Sequence, residues 1–166
     1  MSILYPDLLL RRVHDITPEF LNENHIAGLL LDVDNTLALP DDHVVPDQVK
    51  EWVDRMKAFG VKLMVVSNNS NERVKPFAEK IGLRFVANAL KPLPCGMHKA
   101  AKLLGLPKKN VAVVGDQIFT DTLAANLLGC TSILVEPMVE GGGHGIEFRR
   151  KLEVKVLHHR SKKYSR

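Results

Sequence analysis

The sequence predicts an α/β fold, a doubly wound and mainly parallel sheet with helices on both faces, and three observations lead there. Short apolar runs ending near Leu31, Val66, Val114 and Val135 carry little polar alternation, which suits strands buried on both faces. Segments with apolar residues at helical spacing separate these runs, so strand and helix alternate. Four strand ends in succession then carry residues that handle phosphate or metal: Asp32 with Asp34, Ser67, Lys91 and Asp116. Sites in such sheets form outside the carboxyl ends of the strands. Right-handed crossovers bring those ends to one edge, so residues 84 positions apart can face one pocket.

Taken in order, the first 25 residues are the hardest to read. Leu8, Leu9, Leu10, Val13 and Ile16 are apolar and Arg11 and Arg12 interrupt them, which leaves packing on the domain beside a docking or membrane-facing arm. Thr17-Pro18-Glu19 reads as a cap opening a short helix through Leu21. The stretch GLLLDVDNTL, from Gly28 to Leu37, is the central strand and its exit, followed by a loop over residues 38–45. Pro46 opens a helix with Val49, Trp52, Val53 and Met56 on one face, and Gly60 closes it. Leu63 to Val66 is the next strand and ends at Ser67-Asn68-Asn69. Val74, Phe77 and Ile81 mark a helix that Gly82 stops, and the short strand Phe85-Val86 leads to Lys91-Pro92. A helix over Pro94 to Leu104 stops at Gly105, and the strand Val111 to Val114 ends at Gly115-Asp116. The last pair is a helix near Asp121 to Leu128, stopped by Gly129, and the strand Ile133 to Val135.

With 166 residues and 45% hydrophobic content, the chain is the size of one domain and can bury a sizeable core. Residues 1–146 are expected to form that domain, with the N-terminal arm included, and 147–166 a basic helix or tail. No run approaches the roughly 18 apolar residues of a spanning helix. The expected location is therefore cytoplasmic or peripheral at a membrane surface. Cys95 and Cys130 form no Cys-x-x-Cys pair, so they read as buried small apolar residues rather than a disulfide or zinc framework. Residues 147–166 carry eight Lys or Arg against two Glu, while the remainder holds 15 basic and 17 acidic residues. A near-neutral body thus ends in a basic tail, which could meet phospholipid or nucleic acid or serve as a solubilising end.

Two aspartates at the exit of a buried strand need a reason. Each is costly to desolvate and each raises the cost of ionising the other, unless a cation lies between them or they do acid/base work. A turn with capping side chains over Asp34-Asn35-Thr36 is the plainer alternative. Singly, Ser67 reads equally as a helix cap, Lys91 as a surface lysine and Asp116-Gln117 as a turn.

In order and spacing, DVDNT at 32–36, the serine of VVSNN at 67, the lysine of ALKP at 91 and GDQIFTD from Gly115 to Asp121 resemble the four motifs of the haloacid dehalogenase superfamily of phosphohydrolases, over nearly the whole chain. The phrasing is most similar to the YqeG-type branch of subfamily IIIA, which includes relatives of the mitochondrial phosphatidylglycerophosphate phosphatase. The resemblance implies a Rossmann-like domain and a phosphate monoester as substrate. It makes Asp32 the nucleophile and Asp34 the general acid and base, the residue that separates phosphatases from dehalogenases and ion-pumping ATPases. Mg²⁺ prefers a few carboxylates and waters, which suits Asp32, the main-chain carbonyl of Asp34 and Asp116. Ser67 would donate to a phosphoryl oxygen, with Asn68 as a further phosphate or loop contact, and Lys91 would neutralise charge between phosphate and Asp32. Asp121 would orient Lys91 or a metal-bound water, and Thr36 would hold the motif loop by hydrogen bonding.

The family often inserts a cap domain between the first and second or second and third motifs. Here those gaps are 31 and 24 residues, each filled by one helix and its connections, so a cap-less fold is expected. An open site suits a phosphate presented on a surface, or completion by a neighbouring subunit, so an oligomer is possible. A phospholipid head group is the favoured substrate, with the tail and the N-terminal arm touching the membrane peripherally. A soluble small-molecule or nucleotide phosphate is the runner-up. A third reading is an RNA- or ribosome-associated regulator with the same fold, although nine aromatics give no evident single-strand platform.

Overall fold

In the computed structural model, which describes residues 3–40 and 44–139, the sheet is built around β2 (Gly28–Leu31), buried along its whole length. The other strands are β1 (Leu8–Leu10), β3 (Lys62–Val66), β4 (Arg84–Val86), β5 (Val111–Gly115) and β6 (Thr131–Val135). They run in the order β1-β6-β5-β2-β3-β4, and every neighbouring pair is parallel. The chain winds outward from β2 to β4, returns to β5 on the other side of β2, and winds outward again. The direction of winding therefore switches between β2 and β5, and the carboxyl ends at such a switch are where sheets of this kind bind ligands.

Alternation along β2 distributes its side chains between two cores. Leu29 and Leu31 join α1 (Pro18–Glu23), α2 (Asp47–Ala58) and α3 (Asn71–Lys80) on one face, through Leu21, Trp52, Met56 and Phe77. Leu30 meets α4 (Pro94–Leu104) and α5 (Leu123–Leu128) on the other, through Met97, Ala100 and Ala125. Helices on both faces of a parallel sheet are what the apolar runs predict. Gly105 and Gly129 take left-handed φ of +66° and +79° where the sequence sets helix stops.

One open reading is settled and two expectations are corrected. Residues 8–10 are the edge strand β1, paired with β6, and Val13 and Ile16 are buried in the core beneath them. Trp52 donates its indole N–H to the Ile16 carbonyl at 2.8 Å, so this segment is body rather than a loose arm. Asp121 does not open an ordinary helix: a wide π-type turn spans Ile118–Thr122, and α5 starts at Leu123. Cys95 is exposed, and Cys130 alone is buried, its thiol pushed up to about 11 by burial. The expected basic tail at 147–166 and the acidic part of the loop after β2 lie outside the described residues.

Candidate active site

Each sequence-marked residue sits at the carboxyl edge of its strand. Asp32 follows β2, and its amide donates to the Val114 carbonyl at 2.9 Å, which ties it to β5 and so to Asp116. Lys91 arrives from the loop after β4, which turns through left-handed φ at Asn88 (+48°) and Leu90 (+58°). Asn68 secures that loop, its carboxamide donating to the Lys91 carbonyl at 2.9 Å and accepting from the Lys91 N–H at 2.7 Å. The carboxamide is thus engaged with the backbone of Lys91. Ser67 is buried, accepting from the Asn69 N–H at 3.1 Å through its hydroxyl.

The ammonium of Lys91, only 7% exposed, donates to Asp32 at 2.5 Å and to Asp121 at 2.7 Å. Burial pushes Asp32 up to about 7; Lys91 opposes that, and Asp121 adds to it, because one cation serves more than one carboxylate. Burial by itself would lower Lys91, but the charges of Asp121 and Asp32 outweigh it and hold the ammonium above its ordinary range. The second oxygen of Asp121 accepts from the Gln117 N–H at 3.3 Å and the Thr120 hydroxyl at 3.2 Å, so the π-type turn closes on its own carboxylate.

Gly115 makes room for that carboxylate. A Cβ at this position would overlap the side chain of Asp121. Gly115→Ala is expected to displace Asp121 from Lys91 and cost about 1–3 kcal/mol, the usual effect of overpacking. Urea unfolding should register the loss, and wild-type stability would show that the turn yields freely.

At two further residues the structure adds what the sequence left open. Both oxygens of Asp34 are engaged at its own end, Oδ1 with the Arg73 guanidinium at 2.9 Å and Oδ2 with the Asn69 amide at 2.5 Å. Sequence reasoning passed over Arg73. The signal was present, since a cation in the first turn of a helix opposes the macrodipole and calls for an anionic partner. Thr36 does not hold the motif loop through its hydroxyl, which is buried with no hydrogen bond among the described residues. Backbone bonds do so, with the N–H groups of Thr36, Leu37 and Ala38 all donating to the Val33 carbonyl.

Carboxylate oxygens of Asp32, Asp116 and Asp121 lie within 4.8 Å of one another, all buried. The expected metal set named Asp32, Asp34 and Asp116. The gathered side chains include Asp121 instead of Asp34, whose part in that set was its main-chain carbonyl. Three carboxylates against one lysine leave an excess of buried negative charge, and an all-oxygen donor set fits a hard divalent cation. A cavity of about 430 Å³ lined by Pro18, Leu21, Ile26 and Phe59 lies near the opposite ends of β2 and β3 and has no comparable cluster.

Known proteins give the chain its class. The chain is 37% identical over 152 residues to the probable phosphatase YqeG of Bacillus subtilis, covering 92% of this chain and 88% of that protein. Its fold matches solved structures, among them an uncharacterised Listeria monocytogenes protein (TM-score 0.56, 20% identity, 70% of this chain and 85% of that one). Another is the cobalt-bound deoxy-D-mannose-octulosonate 8-phosphate phosphatase of Haemophilus influenzae (TM-score 0.52, 15% identity, 66% and 68%). The protein is a phosphoric monoester hydrolase of the haloacid dehalogenase type. A model described as mitochondrial PGP phosphatase matches residues 1–140, and the chain belongs to that family. The mitochondrial phosphatidylglycerophosphatase of Saccharomyces cerevisiae is 31% identical over 166 aligned positions, covering 91% of this chain and 88% of that protein.

Proposed function

We propose that the protein is a Mg²⁺-dependent phosphatidylglycerophosphate phosphatase that works through an aspartyl-phosphate on Asp32. The observation that carries the reading is the buried Asp32 held by Lys91 beside Asp116 and Asp121, in a chain of this family. Asp32 forms a bond to phosphorus as the bond to the ester oxygen breaks, and Asp34 gives its proton to the departing alcohol. Asp34 then takes a proton from water, whose oxygen attacks phosphorus and frees Asp32. Arg73 and Asn69 fix the direction of the Asp34 carboxylate. Ser67 donates to a phosphoryl oxygen, Lys91 balances the charge of the phosphoryl group, and Asn68 acts by holding the Lys91 loop. Mg²⁺ held by Asp32, Asp116 and the Asp34 carbonyl, with Asp121 beside them, would add positive charge at the phosphoryl oxygens.

The lipid assignment is supported by the family match and by an edge that carries no cap domain among the described residues. Among the described residues no helix is long and apolar enough to cross a membrane. In this reading the protein is cytoplasmic and meets its lipid at a membrane surface. The test is turnover of phosphatidylglycerophosphate in mixed micelles against glycerol-3-phosphate, sugar phosphates and nucleotides, each with Mg²⁺ and with EDTA. The lipid is expected to be preferred and chelation to silence turnover. A soluble ester favoured in kcat/KM would transfer the assignment to a small-molecule phosphatase, and indifference to EDTA would remove the metal.

A further inference from the structure

Four exposed apolar side chains stand on the loops around the site. Leu90 (60% exposed) and Leu93 (58%) flank Lys91, and Leu39 (40%) follows the β2 motif loop. Val139 (42%) is joined to that same loop, its N–H donating to the Asn35 side chain at 3.3 Å beside a bond from the Met138 N–H to the Asn35 carbonyl. Single exposed apolar residues are ordinary, and Phe59, Leu103 and Leu127, exposed elsewhere, frame no buried charge cluster. These four lie on loops that follow β2, β4 and β6, at the carboxyl edge where Asp32, Lys91, Asp116 and Asp121 gather.

Charge at the same edge favours one occupant. Arg11 and Arg12 follow β1 and share Glu136 at 3.8 and 3.9 Å, so two cations face one anion. From Val139 the sequence continues to residues 147–166, with eight Lys or Arg against two Glu. Arg11 and Arg12 on the same sheet edge as exposed apolar side chains match an anionic lipid surface, where the apolar groups enter the acyl boundary and the cations meet head groups. A soluble ester has no use for such a rim, whereas a lipid whose phosphate must reach a recessed carboxylate needs the protein seated on the surface that holds it.

We propose that the rim formed by Leu39, Leu90, Leu93 and Val139 is the face that docks on an anionic lipid bilayer and delivers a lipid phosphomonoester to Asp32. This rests on the reading of a phospholipid as substrate. The test variant combines Leu39→Ser, Leu90→Asn and Leu93→Ser, all at exposed positions. Asn tolerates the left-handed φ at 90, and Ser suits the position preceding α4.

Wild type and variant are compared in sedimentation with phosphatidylcholine vesicles containing phosphatidylglycerol. They are then compared in turnover of phosphatidylglycerophosphate in those vesicles, of its short-chain water-soluble form, and of an aryl phosphate. The variant is expected to lose vesicle affinity by roughly tenfold or more, because three exposed leucines would no longer be removed from water on docking. Vesicle turnover should fall with it, while turnover of the short-chain lipid and the aryl phosphate is kept. Equal vesicle binding by both proteins, or none by wild type, overturns the proposal. So does retained vesicle binding with a loss of self-association, which would make the rim an interface between copies. Equal hydrolysis of vesicle lipid by both proteins keeps the substrate and discards the docking face. Vesicle binding lost in the variant, with neither protein hydrolysing the lipid, keeps the docking face and discards the substrate.

Discussion

Asp32→Asn is expected to abolish phosphatase turnover and, in the same protein, to raise the melting temperature in EDTA at about pH 8. The first effect follows from removing the proposed nucleophile, with a loss on the order of 10⁴ or more in kcat. The second follows from burial. The Asp32 carboxyl holds its proton more tightly in the fold than in the open chain, with a folded value of about 7 against an ordinary 3.8. Its contribution to stability is therefore fully present below about pH 4 and is lost as pH rises towards 7. Above that, the fold carries a buried anion that shares one lysine with other carboxylates. Asparagine keeps the shape without the charge, which should be worth about 2 kcal/mol, or roughly 4–8 °C for a chain of this size. Near pH 4 the two proteins should melt together. Coincident melting at both pH values would show that water or rearrangement relieves the charge, and wild-type turnover by the variant would end the aspartyl-phosphate mechanism.

Lys91→Met should be the most damaging single change in the site. Its ammonium is the partner of both Asp32 and Asp121, and the replacement leaves the buried carboxylates uncompensated. Breaking a buried pair from one side costs about 3–5 kcal/mol. Turnover should fall as well, because the phosphoryl charge loses its cation. Adding Asp121→Asn to Lys91→Met should recover part of the stability, since it removes one of the orphaned charges, and it should recover none of the activity. Urea denaturation of the wild type, the single variant and the double variant measures this directly. A double variant less stable than Lys91→Met alone would mean that Asp121 is held by its bonds to the turn rather than by the lysine.

Much of the scaffold could be read from the chain because its signals are local. The run at Leu29 to Leu31 is apolar throughout, and both faces of β2 are covered. Val49, Trp52, Val53 and Met56 recur at helical spacing, and all four are buried on α2. β1 could not be read in this way. It has three residues, and its reason for being a strand is β6, far along the sequence, whose residues Ile133 to Val135 pair with Leu8 to Leu10.

The sequence by itself determined the α/β order of elements, the phosphatase class, and which residues end the strands at the carboxyl edge. The order of elements and the strand ends depend on periodicity and turn chemistry, and the phosphatase class on motifs that resemble a known superfamily, all of which survive in one dimension. Only the tertiary structure decided the partners. It turned Asp34 to Arg73 and Asn69, used Asn68 to clamp the Lys91 loop, moved Asp121 into the carboxylate cluster through the π-type turn, and left the hydroxyl of Thr36 without a hydrogen bond among the described residues. A carboxylate 39 positions from an arginine, or an amide 23 positions from a lysine, leaves no local trace of the pairing. Such contacts are selected by the cost of burying a charge or an unpaired amide, and that cost exists only once the sheet has brought the strand ends together.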